Sequence, residues 1–353
     1  MPEKTFPRLL MIADDLTGAL DASVAFAGAG RRVAVARHPG VAALLAGTGP
    51  DVLCVNLGTR DGPEADARTR MTDLCAALDL SAFDIVFKKV DSRLKGHPGA
   101  ELAVLSDAMG APPCVAVPAI PSMGRVQRGG QIEGRGVEAP IPVAPLFEAP
   151  VEVPDAVSDA QIDAVVAARV GVIWVGARGL AQAIARRHGV VPASTPTLRA
   201  PLLMAIGSRD PITLAQVAAL GAGPVHAAPD GRARALSLCG PVEVVRMTDG
   251  GAAIGSDSAG TAFAEGIAAL AGAYRPAALL CSGGETANAI LARLGIDTLE
   301  VRAEIAPGLP ICEVAASWGM VRLITKSGGF GDPDTLARIA ADCRAGLDGD
   351  DTR

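Results

Sequence analysis

The chain has 353 residues, half of them hydrophobic and 20% charged, with a formal net charge of -6. That length exceeds what one compact core ordinarily holds and predicts two domains, and the composition speaks against global disorder. The acidic balance and the 3% aromatic content argue against general nucleic-acid binding, which needs a basic face and stacking rings.

The seven cysteines are dispersed, without a C-x-x-C, as expected of small apolar fillers in a reducing, cytoplasmic compartment. Four scattered histidines give no metal signature. No apolar run reaches the ~18 residues of a membrane span, and no long apolar h-region precedes Asp14, so neither a span nor a signal peptide is expected.

In chain order, RLLMIA (8–13) reads as a strand followed by a helix beginning near Thr17 and Gly18. RRVAVAR (31–37), DVLCVNL (51–57), DIVFKKV (84–90), CVAVPAI (114–120) and GVIWVGA (171–177) read as further strands with helical patterns between them. Continuous apolar runs suit strands buried on both faces, so the class is α/β with largely parallel sheets flanked by helices. The Pro-, Ser- and Thr-rich stretch at 186–201 predicts the passage between domains. A second α/β series follows: PLLMAIGS (201–208), a helix from about 212, PVHAAP (224–229), PVEVVRM (241–247), a helix over 259–272, PAALLCS (276–282), a helix over 286–294, then ICEVA and VRLITKS. The expected domains are 1–195 and 200–353, and the polar tail LDGDDTR (347–353) is expected to fray. The Gly- and Arg-rich segment 121–145 reads either as a surface hairpin or as a flap carrying Arg125 to an anionic ligand.

The chemistry gathers at strand ends, where open α/β sheets place ligands. A single aspartate after RLLMIA would be a helix cap, but Asp14 and Asp15 are two, and one cap needs one carboxylate. The pair is expected to hold substrate hydroxyls, one member serving as general base. DIVFKKVDSRLKGHPGAEL (84–102) brings Lys89, Asp91, Ser92, Arg93, Lys95 and His97 to a second strand end, and NLGTR (56–60) brings Thr59 and Arg60 to a third. Mixed cations and carboxylates suit a polyhydroxylated acid, although for the 84–102 segment taken alone an ordinary solvated loop is the stronger reading.

The second half is different. LLCSGGETANAIL (279–291) predicts strand, Gly283-Gly284 turn, then helix, an arrangement whose free N–H groups bind phosphate. LITKSGGFGD (323–332), EIAPGLPIC (304–312) and IGSRDPITLAQ (206–216) add Lys326, Gly308 and Ser208. Four such turns in one half favour a phosphate or nucleotide site, although no P-loop and no dinucleotide fingerprint is present.

IADDLTGALD, KKVDSRLKGHPGAEL, PAIPSMGR, GSRDPITLAQ, SGGETANAIL, APGLP and TKSGGFGD occur in one order from about residue 9 to 340. Together they resemble the four-carbon acid sugar kinase family, formerly a domain of unknown function. The resemblance implies a substrate domain followed by an ATP domain, with the active site in the cleft between them and domain closure bringing the reactants together. It implies transfer from ATP, with Mg²⁺ carried mainly by the nucleotide, to the terminal hydroxyl of threonate, erythronate or 3-oxo-tetronate. Asp14, Arg60, Lys89, Asp91, Ser92, Arg93 and Arg125 would then lie at the acid. Ser208, Gly283, Gly284, Glu285, Thr286, Gly308, Lys326, Gly328 and Gly329 would lie at ATP, with Lys326 neutralising phosphate. Many members read D-S-T-L-R-G-N where this chain has Asp91 to His97, so Thr is replaced by Arg93, and D-erythronate is the favoured acid. A homodimer is a further expectation. Two other readings share the pattern: a nicotinamide-dependent hydroxy-acid oxidoreductase and a non-enzymatic acid-sugar sensor.

Overall fold

The computed structural model describes residues 6–348 except 29, 222–224, 234–235 and 253. The chain forms two compact units, Met1–Ala193 and Ser194–Arg353.

In the first unit the strands are β1 (Leu9–Ala13), β2 (Val33–Ala36), β3 (Val52–Asn56), β4 (Ile85–Lys89), β5 (Cys114–Val117), β6 (Arg125–Arg128), β7 (Gln131–Gly134), β8 (Ile141–Pro142), β9 (Val151–Glu152) and β10 (Ile173–Gly176). The helices are α1 (Leu16–Ser23), α2 (Ala42–Gly47), α3 (Glu64–Ala77), α4 (Pro98–Ala108), α5 (Asp159–Ala167) and α6 (Arg178–Arg187). The main sheet runs β2-β3-β1-β4-β10-β5-β9, with every pair parallel. All five residues of β1 and of β3 are buried, which is why these segments read as unbroken apolar runs. Residues 121–145 form no α-helix; short 3-10 turns at Pro121–Met123 and from Ala144 bracket the segment. β6, β7 and β8 pair antiparallel there as a separate small sheet, and an Ile120–Arg125 bridge ties its start to the segment that follows β5.

The second unit contains β11 (Leu202–Ile206), β12 (Val225–Pro229), β13 (Val242–Thr248), β14 (Ala278–Ser282), β15 (Thr298–Ala306), β16 (Leu309–Ala316) and β17 (Gly319–Lys326). Its helices are α7 (Pro211–Ala218), α8 (Ser256–Tyr274), α9 (Gly284–Arg293) and α10 (Thr335–Asp348). The strand order is β12-β13-β11-β14-β17-β16-β15. The first five strands are parallel and the last three form antiparallel pairs. Leu202, Met204, Ile206, Val244, Leu280, Ile311, Ile324 and Ile339 meet in its core.

β15 is absent from the sequence expectation. Buried and half-buried residues alternate along it, so it carries no continuous apolar run. The polar tail enters α10 as far as Asp348, and 349–353 lie outside the described residues. Among the described residues no helix is long and apolar enough to cross a membrane, and no cluster of three His, Cys, Asp or Glu side chains is placed to hold a metal.

Candidate active site

The first unit gathers its polar residues at the C-terminal ends of β1, β3 and β4. The register sets Ala13 opposite both Asn56 and Lys89, so Asp14, the 57–60 turn and the 89–93 loop emerge side by side. Thr59 and Arg60 donate their backbone N–H groups to the Asp14 carbonyl at 2.9 and 3.2 Å.

Asp14 and Asp15 take different parts. Asp15 caps α1, its Oδ1 accepting from the Gly18 N–H at 2.9 Å and its Oδ2 from the Thr17 hydroxyl. Asp14 is 3% exposed and is gripped by Arg60, with Nε 3.0 Å from Oδ2 and Nη2 2.7 Å from Oδ1. The same Nη2 lies 2.6 Å from Asp15 Oδ1, so one guanidinium relieves the repulsion between the two carboxylates. Burial pushes the Asp14 carboxyl up, but Lys88, Arg60 and Lys89 outweigh it and hold it below the ordinary carboxylate range. Burial lowers the Arg60 guanidinium, and Asp14, Asp15 and Asp91 more than reverse that.

Lys88 and Lys89 end β4, where alternation sends neighbours to opposite faces. Both are buried. Lys89 passes the start of α1, and a Cβ on Gly18 would sit 2.6 Å from its Nζ, so a side chain at 18 would evict it. Lys88 turns the other way, its Nζ 2.7 Å from Glu101 Oε2 on α4.

Asp91 shapes the next loop, its Oδ1 accepting from the Arg93 N–H at 2.9 Å. Arg125 at the start of β6 donates to Ser92 Oγ and, through Nη2, to the Arg135 carbonyl at 2.9 Å. Burial lowers the Arg125 guanidinium, the neighbouring Arg93 lowers it further and Asp91 opposes both. Arg125 therefore stands in a cluster short of negative charge, with Arg93 exposed beside it. Lys95 is exposed, and His97 bonds the Gly62 carbonyl at 2.7 Å.

In the second unit, β11, β14 and β17 are adjacent, with Ile206 opposite Ser282 and Ser282 opposite Lys326. Ser208, Gly283-Gly284 and the 326–329 turn therefore meet at one edge. The Ser282 carbonyl accepts from the N–H groups of Gly207 and Ser208, both at 3.1 Å, and the Lys326 carbonyl accepts from Gly283 N–H at 2.8 Å. Gly283 sits at φ +107°, a conformation open to glycine, and directly precedes α9. The first N–H groups of a helix have no intrahelical partner. Glu285 is exposed in the first turn of α9. A Cβ on Gly207 would lie 2.0 Å from Thr286 Oγ1, and one on Gly328 2.5 Å from Ser208 Oγ, so these turns close only because glycine occupies them. Gly329 lies further off, 3.5 Å from Asp210 Oδ2 by the same measure. Ser282 Oγ is buried without a hydrogen-bond partner among the described residues. Glycines at a helix N-terminus beside an unsatisfied hydroxyl fit the phosphates of a nucleotide.

Lys326 differs from the expectation that it meets phosphate. Its buried Nζ donates to Thr213 Oγ1 at 2.8 Å and to the carbonyls of Gly328 at 3.0 Å and Ser327 at 3.2 Å. The ammonium thus braces the glycine turn from beneath. Gly308 lies in the β15–β16 turn at φ +79°, where a Cβ would stand 2.0 Å from the Phe330 ring.

Lys88, Glu101, Gly207, Thr213 and Ser282 build these sites and escaped the sequence expectations. Glu101 and Thr213 sit within helices as unremarked polar positions, and Lys88 was legible only as the other half of a Lys-Lys pair.

The chain matches two family models, "Sugar-binding N-terminal domain" over residues 9–142 and "Nucleotide-binding C-terminal domain" over 227–336. It is 28% identical to a D-threonate kinase of Cupriavidus necator, over 93% of this chain and 96% of that one. It is 29% identical to a D-threonate kinase of Bordetella bronchiseptica, over 95% and 97%. A solved structure from Salmonella typhimurium LT2 shares the fold with a TM-score of 0.74 at 20% identity, over 94% of this chain and 98% of that one. Two domain models in order, relatives matching end to end and the motif set converge on one conclusion: the chain belongs to the four-carbon acid sugar kinase family.

Proposed function

We propose that the protein transfers the γ-phosphoryl group of ATP to the terminal hydroxyl of a four-carbon sugar acid. The observation that carries this is the contrast between two strand-end clusters, one per unit. The first is rich in carboxylates and guanidinium groups; the second is a glycine cradle at a helix N-terminus. Arg125, with Arg93 beside it, is the candidate for the acid's carboxylate, since a planar guanidinium matches it. Asp14, Asp91 and Ser92 are candidates for its hydroxyls.

Asp14 is assigned a narrower role than a proton store. Its carboxyl is held below the ordinary range, so it stays a carboxylate at neutral pH and accepts a hydrogen bond from the reacting hydroxyl, orienting it. Phosphoryl transfer passes through a loose transition state that asks mainly for positioning and charge neutralisation. Asp15, committed to the α1 cap and to Arg60, supports Asp14. ATP supplies the phosphoryl group, with Mg²⁺ carried on its oxygens. Gly207, Gly283, Gly284 and Gly328 give its phosphates close approach to backbone, with Ser208, Ser282 and Thr286 as hydroxyl donors. Lys326 keeps the 327–329 turn in shape.

The two relatives described above, each matched along more than nine-tenths of the chain, are named D-threonate kinases. D-threonate is therefore the first acid to test, and D-erythronate, which Arg93 had suggested, the second. The experiment is ADP release with Mg-ATP and a panel of D- and L-threonate, D- and L-erythronate and 3-oxo-tetronates, with ³¹P NMR of the product. Release with one acid and a terminal phosphomonoester supports the assignment. Thermal stabilisation by an acid with none from Mg-ATP and no ADP would overturn it in favour of a sensor.

A further inference from the structure

Behind Asp14 lies a polar circuit that starts on two buried side chains outside the candidate ligand set, Lys88 and Glu101, and ends on Arg60 and Asp14. Lys88 and Glu101 are paired at 2.7 Å with side chains 0% and 1% exposed. Lys88 Nζ also donates to the Lys89 carbonyl at 2.9 Å and the Ile12 carbonyl at 3.4 Å. The other oxygen of Glu101 accepts from the Thr59 hydroxyl, and the Thr59 N–H donates to the Asp14 carbonyl at 2.9 Å. The chain then continues into Arg60, whose guanidinium returns to the Asp14 carboxylate. A closed loop of contacts thus runs from β4 through α4 and the 57–60 turn to the end of β1.

A fully buried ion pair is often no more stabilising than two apolar side chains of similar volume. Stability alone therefore does not account for placing one here. We propose, in an inference that rests on the acid-sugar reading above, that Lys88 is a positioning residue. Its buried ammonium supplies fixed positive charge behind the Asp14 carboxylate, and through Glu101 and Thr59 it fixes the turn that carries Arg60. The charges around Asp14 are Lys88 and Lys89 from β4, Arg60 from the turn after β3 and Asp15 at the start of α1. Asp91 after β4 acts on Arg60, and Glu101 from α4 faces Lys88. Removing Lys88 takes away one of three cations that favour the charged form of Asp14, so its titration midpoint must rise.

The test uses full-length protein labelled with ¹³C at the aspartate carboxyls, with the Asp14 signal identified by its loss in Asp14→Asn. Lys88→Met and the double variant Lys88→Met/Glu101→Leu are compared with wild type. The double variant leaves no unpaired buried charge and keeps the test open where the single variant fails to fold. The midpoint of Asp14 is expected to rise by about one pH unit in Lys88→Met and by less in the double variant, where the opposing charge of Glu101 is lost as well. The acid limb of kcat/KM for the sugar acid is expected to rise with it, with KM for ATP unchanged. Thr59→Val, nearly isosteric, is expected to raise KM for the acid while leaving the Asp14 midpoint in place. An Asp14 midpoint and an acid limb unmoved in the folded double variant would overturn the proposal. If wild type turns over no acid, the acid-sugar reading fails, and the Asp14 midpoint still decides what Lys88 does.

Discussion

Arg60 stands between Asp14 and Asp15, its Nη2 2.7 Å from Oδ1 of the first and 2.6 Å from Oδ1 of the second. Two adjacent carboxylates, which repel in isolation, become an asymmetric pair. One is buried and gripped bidentately, the other caps a helix. Arg60→Met is expected to lower stability at pH 7 by on the order of 3 kcal/mol, as when one partner of a buried pair is lost. The sign with pH follows from Asp14, whose folded-state pKa is depressed by a set of charges that includes Arg60. That contribution is present above the unfolded value of about 3.9 and is lost as pH falls through the lower folded value. The gap between wild type and Arg60→Met should therefore be full at neutral pH and close under acid, as urea denaturation at several pH values will measure.

Asp14→Asn keeps the shape and removes the charge. It is expected to reduce kcat for the sugar acid by roughly 100-fold, the scale set by misplacing a reacting group. Asp15→Asn should cost far less in stability than Asp15→Ala, since asparagine caps a helix about as well, whereas alanine forfeits about 1 kcal/mol. Steady-state kinetics and thermal melts of the three variants check this. Equal effects of Asp14→Asn and Asp15→Asn on kcat would erase the distinction drawn between the two aspartates.

Gly207 and Thr286 are in contact that leaves no room for a methyl group. A Cβ at 207 would meet Thr286 Oγ1 at 2.0 Å and Cγ2 at 2.8 Å. Gly207→Ala is expected to destabilise by about 1–3 kcal/mol and to raise KM for ATP, leaving KM for the acid unchanged. Thr286→Ala removes both of those atoms, so the double variant should recover part of the lost stability. A purely additive double-mutant cycle would mean that the two positions do not share this space.

Lys326 gives a second pH signature, of opposite origin. Burial pushes its ammonium down to about 8, with Asp210 opposing. An unfolded lysine keeps its proton up to about 10.4, so between those values the unfolded chain binds more protons and folding stability rises with pH. The stability of wild type relative to Lys326→Met is therefore expected to grow from pH 8 towards pH 10. Lys326→Met should also raise KM for ATP, because the 327–329 turn loses its brace. Denaturation curves across that range decide it, and a relative stability that falls over the range would count against the assignment.

The sequence by itself determined the class of both units and the ends at which their chemistry lies. Strands buried on both faces are apolar along most of their length, so β1, β3, β4, β11 and β14 could be read as runs, and the polar residues that end or follow each run mark the ligand-facing end. Motif order likewise carried the family. Only the tertiary structure decided what each polar residue does there. Asp14 meets Arg60 across 46 positions, and Lys326 meets Thr213 across 113. No local period or spacing encodes contacts at such separations. The same limit hid the choice between Asp14 and Asp15, the opposite directions taken by Lys88 and Lys89, and β15. That strand alternates buried and half-buried residues beside an antiparallel partner, and only pairing with β16 gives the pattern its meaning.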